Sequence, residues 1–503
     1  MKIERLSVRC IQFSREALHN EICRASSTTV SEADLDQVRY LGSYLSNSEA
    51  GAATIVVEQP YVDRHFLEEY ANYYATSLFP PPTKATRLHF FSTAISNRKF
   101  SAILKKAACA NFEAVCNKLN ESYLGFSVIR PLADAPIGRT VLKTFNHNAT
   151  RCYTLPPHAY RVHLCGLKLS VCGVPFQQQE QAVGACATTA VWSALAQVMR
   201  HDGGRAPTPF AVTEAATRHW LNDRVFPAAS GLKNEQVLEA IRQFGYAPFH
   251  FEPGVKTELF MHAVKCYLRS GIPVILKIRY PDENFEAHAV TVVGFREGDA
   301  TIDYQIDEKP SYYLKTKSMC RLYVHDDRLG PYSRAEWHVD ENGYVQLHYL
   351  PHEDGFEFFA HDAVVQSAMV PVYPKIRLSA QDLTGFAGEL LPFFQYITGQ
   401  GKRDQLTADL RFCLAGDCLK TLYKSAIPAD RLTKFVKQII LSRYVGFVTF
   451  SIPDGPLAHV IYDSTDMRRA APAPAPLLAI LLYPAYAEHT SILKEYLPRA
   501  LVL

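Results

Sequence analysis

The sequence predicts an α+β protein in three parts, and three observations lead to this class. A chain of 503 residues is too long for one ordinary core. Its composition is globular, with 48% hydrophobic and 20% charged residues. Helix and strand signals also change in kind along the chain. We expect an α/β amino-terminal domain at 1–160, a central domain at 161–345 in which helices precede strands, and a mixed α/β carboxy-terminal domain at 346–503.

The amino-terminal part alternates strand and helix signals. Asp63 stands where it would cap a helix over 63–78, and three prolines at 80–82 end that segment. A single long helix is predicted over 101–122. Apolar and β-branched residues predict strands over 52–58, 87–91 and 124–129.

The central part opens with a β-rich stretch over 139–176 and then becomes helical. The apolar periodicity predicts helices over 186–199, 233–244 and 257–269. Strand signals follow over 272–278, 288–295, 300–306 and 321–325. In the last part we expect helices through 379–442 and strands over 445–452, 458–462 and 477–483.

Charge and hydropathy argue against several classes of partner. Fifty-three basic and fifty acidic residues give a net charge of +3, which is too balanced to attract nucleic acid or an acidic membrane. The longest uncharged stretch, 470–487, contains four prolines, so it does not predict a membrane helix. The first residues are charged and lack an apolar run of signal-peptide length. We therefore expect a cytoplasmic protein with no membrane or nucleic-acid partner.

Twelve cysteines are scattered along the chain without any CxxC motif. In a cytosolic setting most of them should be reduced, small and buried. The closest pairs, Cys165 with Cys172 and Cys413 with Cys418, do not have the usual spacing of zinc ligands. The cysteine spacing therefore does not predict a zinc site.

One cysteine, Cys186, stands at the predicted start of an Ala-rich helix. A thiol is a weak nucleophile until it ionises, and the unpaired N–H groups and dipole of a helix amino terminus stabilise a thiolate. The same N–H groups can hold the oxyanion of an attacked carbonyl. Taken alone, a cysteine is most often a packed core residue, so Cys186 needs partners to be a candidate for acyl chemistry.

Two later segments supply such partners. His288 is the first residue of an apolar strand that ends at Gly294. At the start of this strand, the His288 side chain can project from the sheet edge. Asp326 follows a short strand, and a carboxylate there can accept a hydrogen bond from the imidazole of His288 and fix its tautomer. Asp326 is preferred because it comes first after the strand, and the adjacent Asp327 is the alternative.

The order Cys, His, Asp and the phrases around these residues resemble papain-like cysteine peptidases. The closest branch is that of the bacteriocin-leader, or double-glycine, peptidases. The resemblance covers roughly 172–338, and the phrases that carry it are VPFQQQEQAVGACATTA, GIPVIL, HAVTVVGF and YVHDDRLGPY. It implies a helix bearing Cys186 packed on an antiparallel sheet bearing His288 and Asp326. It also implies thiol acyl chemistry without a metal or organic cofactor.

The resemblance further implies a glutamine that donates a second hydrogen bond to the oxyanion. In such families it commonly lies six positions before the cysteine, where this chain has Glu180. A shift of one residue in the loop would place Gln181 or Gln179 there. Gln181 is preferred, and Gln179 is the alternative.

The predicted function is a cysteine peptidase that cleaves a peptide or isopeptide bond in a polypeptide substrate. The first alternative is an inactive papain-fold scaffold that binds a protein partner. Ala185 and Ala187 favour it, because the related peptidases often have Asp-Cys-Gly at the nucleophile. The second alternative is a thiol acyltransferase or amidase of transglutaminase type.

Overall fold

The computed structural model describes residues 6–503 apart from several internal segments. These are 27–35, 110, 146–149, 181–184, 219–230, 255, 282–286, 306–312, 352–361, 400–404, 466–475 and 498–499. The described chain is a mixed α+β protein in which helices and sheets cover one another.

The amino-terminal part is a five-stranded sheet with helices packed on it. Its strands, in spatial order, are β1 (Ser7–Gln12), β2 (Thr54–Tyr61), β3 (Ala85–Phe91), β4 (Tyr123–Ile129) and β5 (Ile137–Leu142). Its helices are α1 (Arg15–Ser26), α2 (Asp36–Ser46), α3 (Arg64–Asn72), α4 (Asn97–Cys109) and α5 (Phe112–Ser122). All four strand pairings are antiparallel, so this part is α+β, whereas its alternating pattern predicted an α/β unit.

A closed ring of six antiparallel strands forms the centre of the molecule. Each strand pairs with the next, and the last pairs back with the first. The strands are β10 (Val274–Arg279), β11 (Ala287–Gln305), β12 (Tyr313–Asp326), β13 (Gly330–Val339), β14 (Val345–Tyr349) and β15 (Ala363–Val372). Two short strands extend the ring, β6 (Arg151–Tyr153) against β11 and β9 (Ala247–Phe251) against β15. Two strands that precede the ring in the chain form a separate hairpin. They are β7 (Tyr160–Leu164) and β8 (Leu167–Val171).

Four helices pack beside this ring: α6 (Cys186–His201), α7 (Pro209–Thr217), α8 (Asn234–Gln243) and α9 (Thr257–Arg269). Helix α6 is rich in alanine and is buried from Ala187 to Val198, which lets it lie close to β11. The hydroxyl of Thr291 on β11 donates a hydrogen bond to the carbonyl of Ala190, 2.9 Å away. This bond fixes α6 along the strand that begins beside its first turn.

The carboxy-terminal part continues the same sheet. A single parallel pairing, Lys315 with Thr407, joins β12 to β16 (Thr407–Leu414). Beyond β16 lie β17 (Tyr444–Ile452), β18 (Gly455–Asp463), β19 (Leu477–Leu482) and β20 (Leu501–Val502). The helices of this part are α10 (Ala380–Glu389), α11 (Leu391–Thr398), α12 (Ala415–Tyr423), α13 (Ala429–Gln438) and α14 (Thr490–Tyr496).

The three parts share hydrophobic cores. One core unites α6 to α9, the ring and the carboxy-terminal strands, and a second unites α1 and α2 with Tyr323 and Tyr332 of the ring. The ring runs to Val372, which lies beyond the predicted boundary at 345, so that boundary crosses a continuous sheet. None of the helices in the described segments has both the length and the apolar character needed to cross a bilayer.

Three predicted elements differ from the observed ones. The helix predicted over 101–122 is two helices, because Asn111 caps a new one by accepting a hydrogen bond from the Ala114 N–H. The strands predicted over 288–295 and 300–306 are one strand, β11. The helical stretch predicted over 379–442 contains β16, whose alternating burial is typical of a strand.

Candidate active site

Cys186 is the first residue of α6, as the sequence predicts. Ala185, the cap residue before it, has extended backbone dihedrals (φ −58°, ψ 161°). Its side chain makes no capping hydrogen bond, so it leaves the N–H groups of the first turn uncovered. The Cys186 carbonyl accepts a hydrogen bond from the Thr189 hydroxyl at 2.9 Å. The residue is partly exposed while the helix behind it is buried. The thiol therefore lies at the boundary between the core and the surface.

His288 lies next to Cys186, near the start of β11. Its side chain makes one hydrogen bond to the Cys186 side chain and another, from Nε2, to Asp326 Oδ1 at 2.8 Å. Because Nε2 faces Asp326, Nδ1 is the ring nitrogen left for the thiol. His288 is the second residue of its strand, one position later than predicted, and it is 5% exposed. The structure thus brings the two residues, a hundred positions apart in the chain, into contact.

Asp326 is the last residue of β12 and is completely buried. One of its oxygens, Oδ1, accepts hydrogen bonds from His288 and, at 3.0 Å, from the Arg328 N–H. The other, Oδ2, accepts one from the Tyr349 hydroxyl at 2.6 Å. Three donors hold the carboxylate in place, so it can orient the imidazole.

Asp327, the predicted alternative, lies at the same imidazole. Its Oδ1 is 3.4 Å from His288 Nε2, compared with 2.8 Å for Asp326 Oδ1. The shorter distance and the additional donors favour Asp326 as the residue that orients His288. Asp327 contributes a second buried carboxyl group beside it.

The pKa values of these groups depend on one another. Burial lowers the pKa of His288, but the Asp326 and Asp327 carboxylates outweigh burial and hold it well above its usual value. Burial also raises the pKa of Asp326, and the nearby imidazole with the donors above hold it below the usual value. For Asp327 burial prevails and raises the pKa to about 7. At neutral pH the geometry therefore favours an imidazolium paired with Asp326.

The glutamine segment before α6 is only partly described. Gln181, the preferred oxyanion donor, lies outside the described residues, and the alternative Gln179 is half-buried. The two glutamines before them are buried and anchored to the amino-terminal part. Gln177 Nε2 donates to Glu69 Oε1 at 3.0 Å, and Gln178 Oε1 accepts from the Ile137 N–H at 3.2 Å. They hold the segment in place, and the choice between Gln181 and Gln179 stays a prediction.

A small cavity lies behind the histidine, between α6 and the ring. It has room for about one water molecule, and its polar lining consists of Gln177, Thr189, Ser193, Thr291, His325 and Asp327. His325 Nδ1 is 3.3 Å from the Ser193 hydroxyl, and burial lowers its pKa to about 3. His325 is therefore neutral at neutral pH, and it lines the cavity behind His288.

Within the described part of the chain, one set of three side chains could hold a metal ion. The ligand atoms of His288, Asp326 and Asp327 all lie within 4.8 Å of one another. The hydrogen bond between His288 and Asp326 already uses a ring nitrogen and a carboxylate oxygen. A metal ion would have to displace that proton. That the site needs no cofactor stays a prediction.

Sequence reasoning missed two supports of the site. Tyr349 was detectable in principle, because Val345, Leu347 and Tyr349 alternate along β14 and are all buried. Glu69 was not detectable, because it lies on α3 far away in the chain and contacts the site only through Gln177. A carboxylate on a predicted amphipathic helix is ordinarily a surface residue.

Each residue of the candidate site comes from a different element. Cys186 comes from α6, His288 from β11 and Asp326 from β12, and the sheet register Thr291 to His325 sets the two strands beside each other. This geometry carries the assignment of function, since no protein-family model matches the chain and no curated protein matches it.

Proposed function

We propose that this protein is a papain-like cysteine peptidase with Cys186 as nucleophile, His288 as its acid and base, and Asp326 as the orienting residue. One observation carries the proposal: the imidazole of His288 is hydrogen-bonded on one side to Cys186 and on the other to a buried carboxylate. A thiol at a helix amino terminus, an imidazole and a carboxylate in this order form a triad for acyl transfer.

The fold supports the papain-like part of this proposal. A buried helix begins with the cysteine and packs on an antiparallel sheet that bears the histidine and the aspartate on neighbouring strands. This is the arrangement that the sequence resemblance implies. The closed ring makes the histidine strand stiff, which keeps the imidazole at a fixed position beside the thiol.

In the proposed mechanism, His288 holds the proton of Cys186 while the sulfur attacks the substrate carbonyl. The N–H of Cys186 at the start of α6 donates to the oxyanion, and Gln181 or Gln179 supplies the second donor. The imidazolium then protonates the leaving amine as the carbon–nitrogen bond breaks, which leaves a thioester on Cys186. His288 next removes a proton from water while the water oxygen attacks the thioester carbonyl. The carbon–sulfur bond then breaks, the acid is released, and the Cys186 thiolate is restored beside the protonated His288.

The electrostatics favour the acid half of this cycle. Asp326 and Asp327 stabilise the imidazolium that must protonate the leaving amine. Activity should therefore persist at neutral pH and be lost as the pH rises through the raised pKa of His288, because the neutral ring can no longer act as an acid.

A thiol-reactive probe tests the proposal. We expect iodoacetamide or a peptidyl ketone to label Cys186 faster than the other eleven cysteines, and expect His288→Ala to abolish that selectivity. His348→Gln is the matched control, since His348 forms an exposed His–Asp pair with Asp362, 2.6 Å apart, on the same ring. Labelling of Cys186 at the rate of an ordinary buried thiol would contradict the proposal.

Turnover then separates the peptidase from the two alternatives. A peptide library incubated with and without a free amine, with masses read out, should give hydrolysis products whose yield the amine does not change. Amine-capped products would indicate an acyltransferase. Unchanged peptides, together with unselective labelling of Cys186, would indicate a scaffold that has lost its activity.

A further inference from the structure

A second pair of sulfur atoms lies together in the carboxy-terminal part, away from the candidate active site. Cys413 is near the end of β16, and Cys418 is in the first turn of α12, which follows directly. Cys413 packs against the buried cluster that contains Cys418, and neither thiol takes part in a disulfide in this structure. The pair therefore has two thiols in contact and no assigned role.

The local fold places the pair. Residues of β16 alternate in burial, so Arg411 and Cys413 project to the same side of the strand, the side that α12 covers. The Arg411 guanidinium donates to the Thr421 hydroxyl on α12 at 2.9 Å. Cys418 faces inward with Leu422, four residues later, and both are completely buried. Strand and helix thus hold the two sulfur atoms between them beside a cation.

One of the two thiols is open to small molecules. Cys413 is partly exposed and lines a surface cleft of about 220 Å³, together with Arg269, Arg411, Asp417 and Tyr444. Cys418 does not line this cleft and is completely buried behind Cys413. An oxidant can therefore reach Cys413 first and Cys418 only through it.

The protonation of the pair is also unequal. The hydrogen bond from Cys418 and the nearby Arg411 guanidinium lower the pKa of Cys413, although burial and Asp417 act in the other direction. The same hydrogen bond, together with burial, raises the pKa of Cys418. Cys413 thus has the character of an attacking thiol, and Cys418 that of the thiol that resolves it.

We propose that Cys413 and Cys418 form a thiol–disulfide switch that hydrogen peroxide oxidises. In the first step, the Cys413 thiolate attacks one oxygen of the peroxide, the oxygen–oxygen bond breaks, and hydroxide leaves to be protonated to water. Cys413 is then a sulfenic acid. In the second step, the Cys418 sulfur attacks the Cys413 sulfur, the sulfur–oxygen bond breaks, and the departing oxygen takes up the Cys418 proton as water. Two thiols are oxidised and one peroxide is reduced to two waters.

The sequence makes this reaction simple to follow. Trypsin cleaves after Arg411 and Lys420, so both cysteines fall in one peptide, FCLAGDCLK, with no other cysteine in it. The folded, full-length protein is treated with hydrogen peroxide, alkylated under denaturing conditions and digested. We expect this peptide to lose two hydrogens and to escape alkylation, and dithiothreitol to restore its two alkylation sites.

Cys320 is the internal control, because it is exposed and lies in a separate tryptic peptide. We expect Cys413 to be oxidised roughly tenfold faster than Cys320. In Cys418→Ser the reaction should stop at a sulfenic acid on Cys413 that dimedone traps. In Cys186→Ser the disulfide should form as before, so the result does not depend on the proposed peptidase.

Two results would overturn the proposal. One is a peptide 412–420 that stays fully alkylated at peroxide doses that oxidise Cys320. The other is a disulfide that forms only after the protein has been unfolded. Neither result requires a variant to fold, since both are read on the unmodified chain.

Discussion

Asp326 and Asp327 are adjacent in the chain and lie at the same imidazole, yet their pKa values move in opposite directions. Asp326 accepts hydrogen bonds from His288, Tyr349 and the Arg328 N–H, which favour its charged form. Asp327 is equally buried, and burial there prevails over the attraction of His288. One carboxyl group is therefore a fixed anion, and the other can carry a proton at neutral pH.

Asp327→Asn should change how stability depends on pH. The folded protein keeps the Asp327 proton up to about pH 7, whereas the unfolded chain releases it near 3.8, so the native protein loses stability as the pH rises through this window. The asparagine does not titrate and avoids this loss. Urea unfolding should be measured at low and at mildly alkaline pH. Between the two, the unfolding free energy of the variant should rise by roughly 3–4 kcal/mol relative to that of the unsubstituted protein.

Asp326→Asn is the control for this measurement, with the opposite sign. The pKa of Asp326 is lowered on folding, so its contribution to stability is present above the unfolded pKa and lost as the pH falls. Asp326→Asn should therefore lower the unfolding free energy most at neutral pH. Parallel stability curves for the native protein and Asp327→Asn would contradict the assignment of a raised pKa to Asp327.

At this scale the sequence predicted the residues that meet, because each has a local signal. Cys186 begins a helix, His288 begins a strand, and Asp326 ends one. The hydrogen bond from Tyr349 to Asp326 has no such signal, since it depends on the ring bringing β14 close to Asp326. The bond from the Arg328 N–H is local, because Arg328 lies two residues after Asp326. The glutamine donor could not be identified, because several glutamines precede Cys186 and spacing alone does not say which one faces it.

Strand β14 acts on the site through one side chain. Tyr349 ends this strand, and its hydroxyl is 2.6 Å from Asp326 Oδ2, inside the ring. Tyr349→Phe removes this donor and leaves the carboxylate with one fewer partner. We expect peptidase activity to fall roughly tenfold, as is typical for loss of a residue that orients a catalytic group. We also expect a stability loss of about 1–2 kcal/mol.

Activity and stability should be measured together for this variant. Tyr344→Phe is a suitable control, because Tyr344 is 58% exposed just before the same strand. Unchanged activity in Tyr349→Phe would show that the other donors are sufficient to hold Asp326.

Gly294 tests how closely β6 approaches the ring. A Cβ at this position would lie 2.7 Å from the Cys152 carbonyl oxygen and 2.7 Å from the Tyr153 ring on β6. Gly294→Ala should therefore destabilise the protein by roughly 1–3 kcal/mol in denaturant unfolding. Gly385→Ala is the control, because Gly385 lies within α10 with no atom within 4 Å of its added Cβ, and alanine should stabilise that helix by about 0.5–1 kcal/mol. Equal effects at the two positions would contradict the described packing.

Sequence periodicity predicted helices and strands well where one face of the element is buried and the other is exposed. It predicted them less well elsewhere. Asp63 caps α3 as expected, accepting hydrogen bonds from His65 and Phe66. Strand β16 was missed because it is short and lies between two helices, α11 and α12, although polar and apolar residues alternate along it. The length of β11 was missed for a related reason. Gly298 and polar neighbours indicate a break, but pairing with β12 continues past it with shifts in register.

The whole molecule depends on contacts between its parts. Glu69 and Arg130 of the amino-terminal part form an ion pair at 3.4 Å, and both side chains are about 1% exposed. Arg130 Nη2 donates to the carbonyl of Gln178 at 3.0 Å, while Glu69 accepts from Gln177. A buried pair in the first part thus fixes the segment that leads to Cys186 in the second part.

Arg130→Met should leave Glu69 as an uncompensated buried charge. We expect a loss of roughly 3–5 kcal/mol in unfolding free energy, and a loss of activity because the glutamine segment loses an anchor. Adding Glu69→Gln should recover part of the stability, since it removes the unpaired charge. Lys168→Met is the control: its ion pair with Glu113 is exposed, so its loss should cost less than about 1 kcal/mol. Similar losses in the two single variants would contradict a buried network.

Composition and pattern predicted three parts, but they did not predict the contacts between those parts. The core around Tyr323 and Tyr332 takes residues from α1 and α2, and such long-range packing leaves no periodic trace in either segment. The sheet likewise passes from ring to carboxy-terminal strands through the pairing of Lys315 with Thr407. Boundaries drawn from local signals therefore divide surfaces that the folded chain buries.

The closed ring has one more consequence. It carries the imidazole and its carboxylate on adjacent strands, whereas the sulfur comes from a separate helix. The positions of the imidazole and its carboxylate therefore depend on the ring and not on the helix that carries the sulfur. In Cys186→Ala the Nε2–H···Oδ1 hydrogen bond should persist and give a strongly deshielded proton resonance. A tilt of the helix tip alone would be enough to switch off the proposed peptidase reversibly.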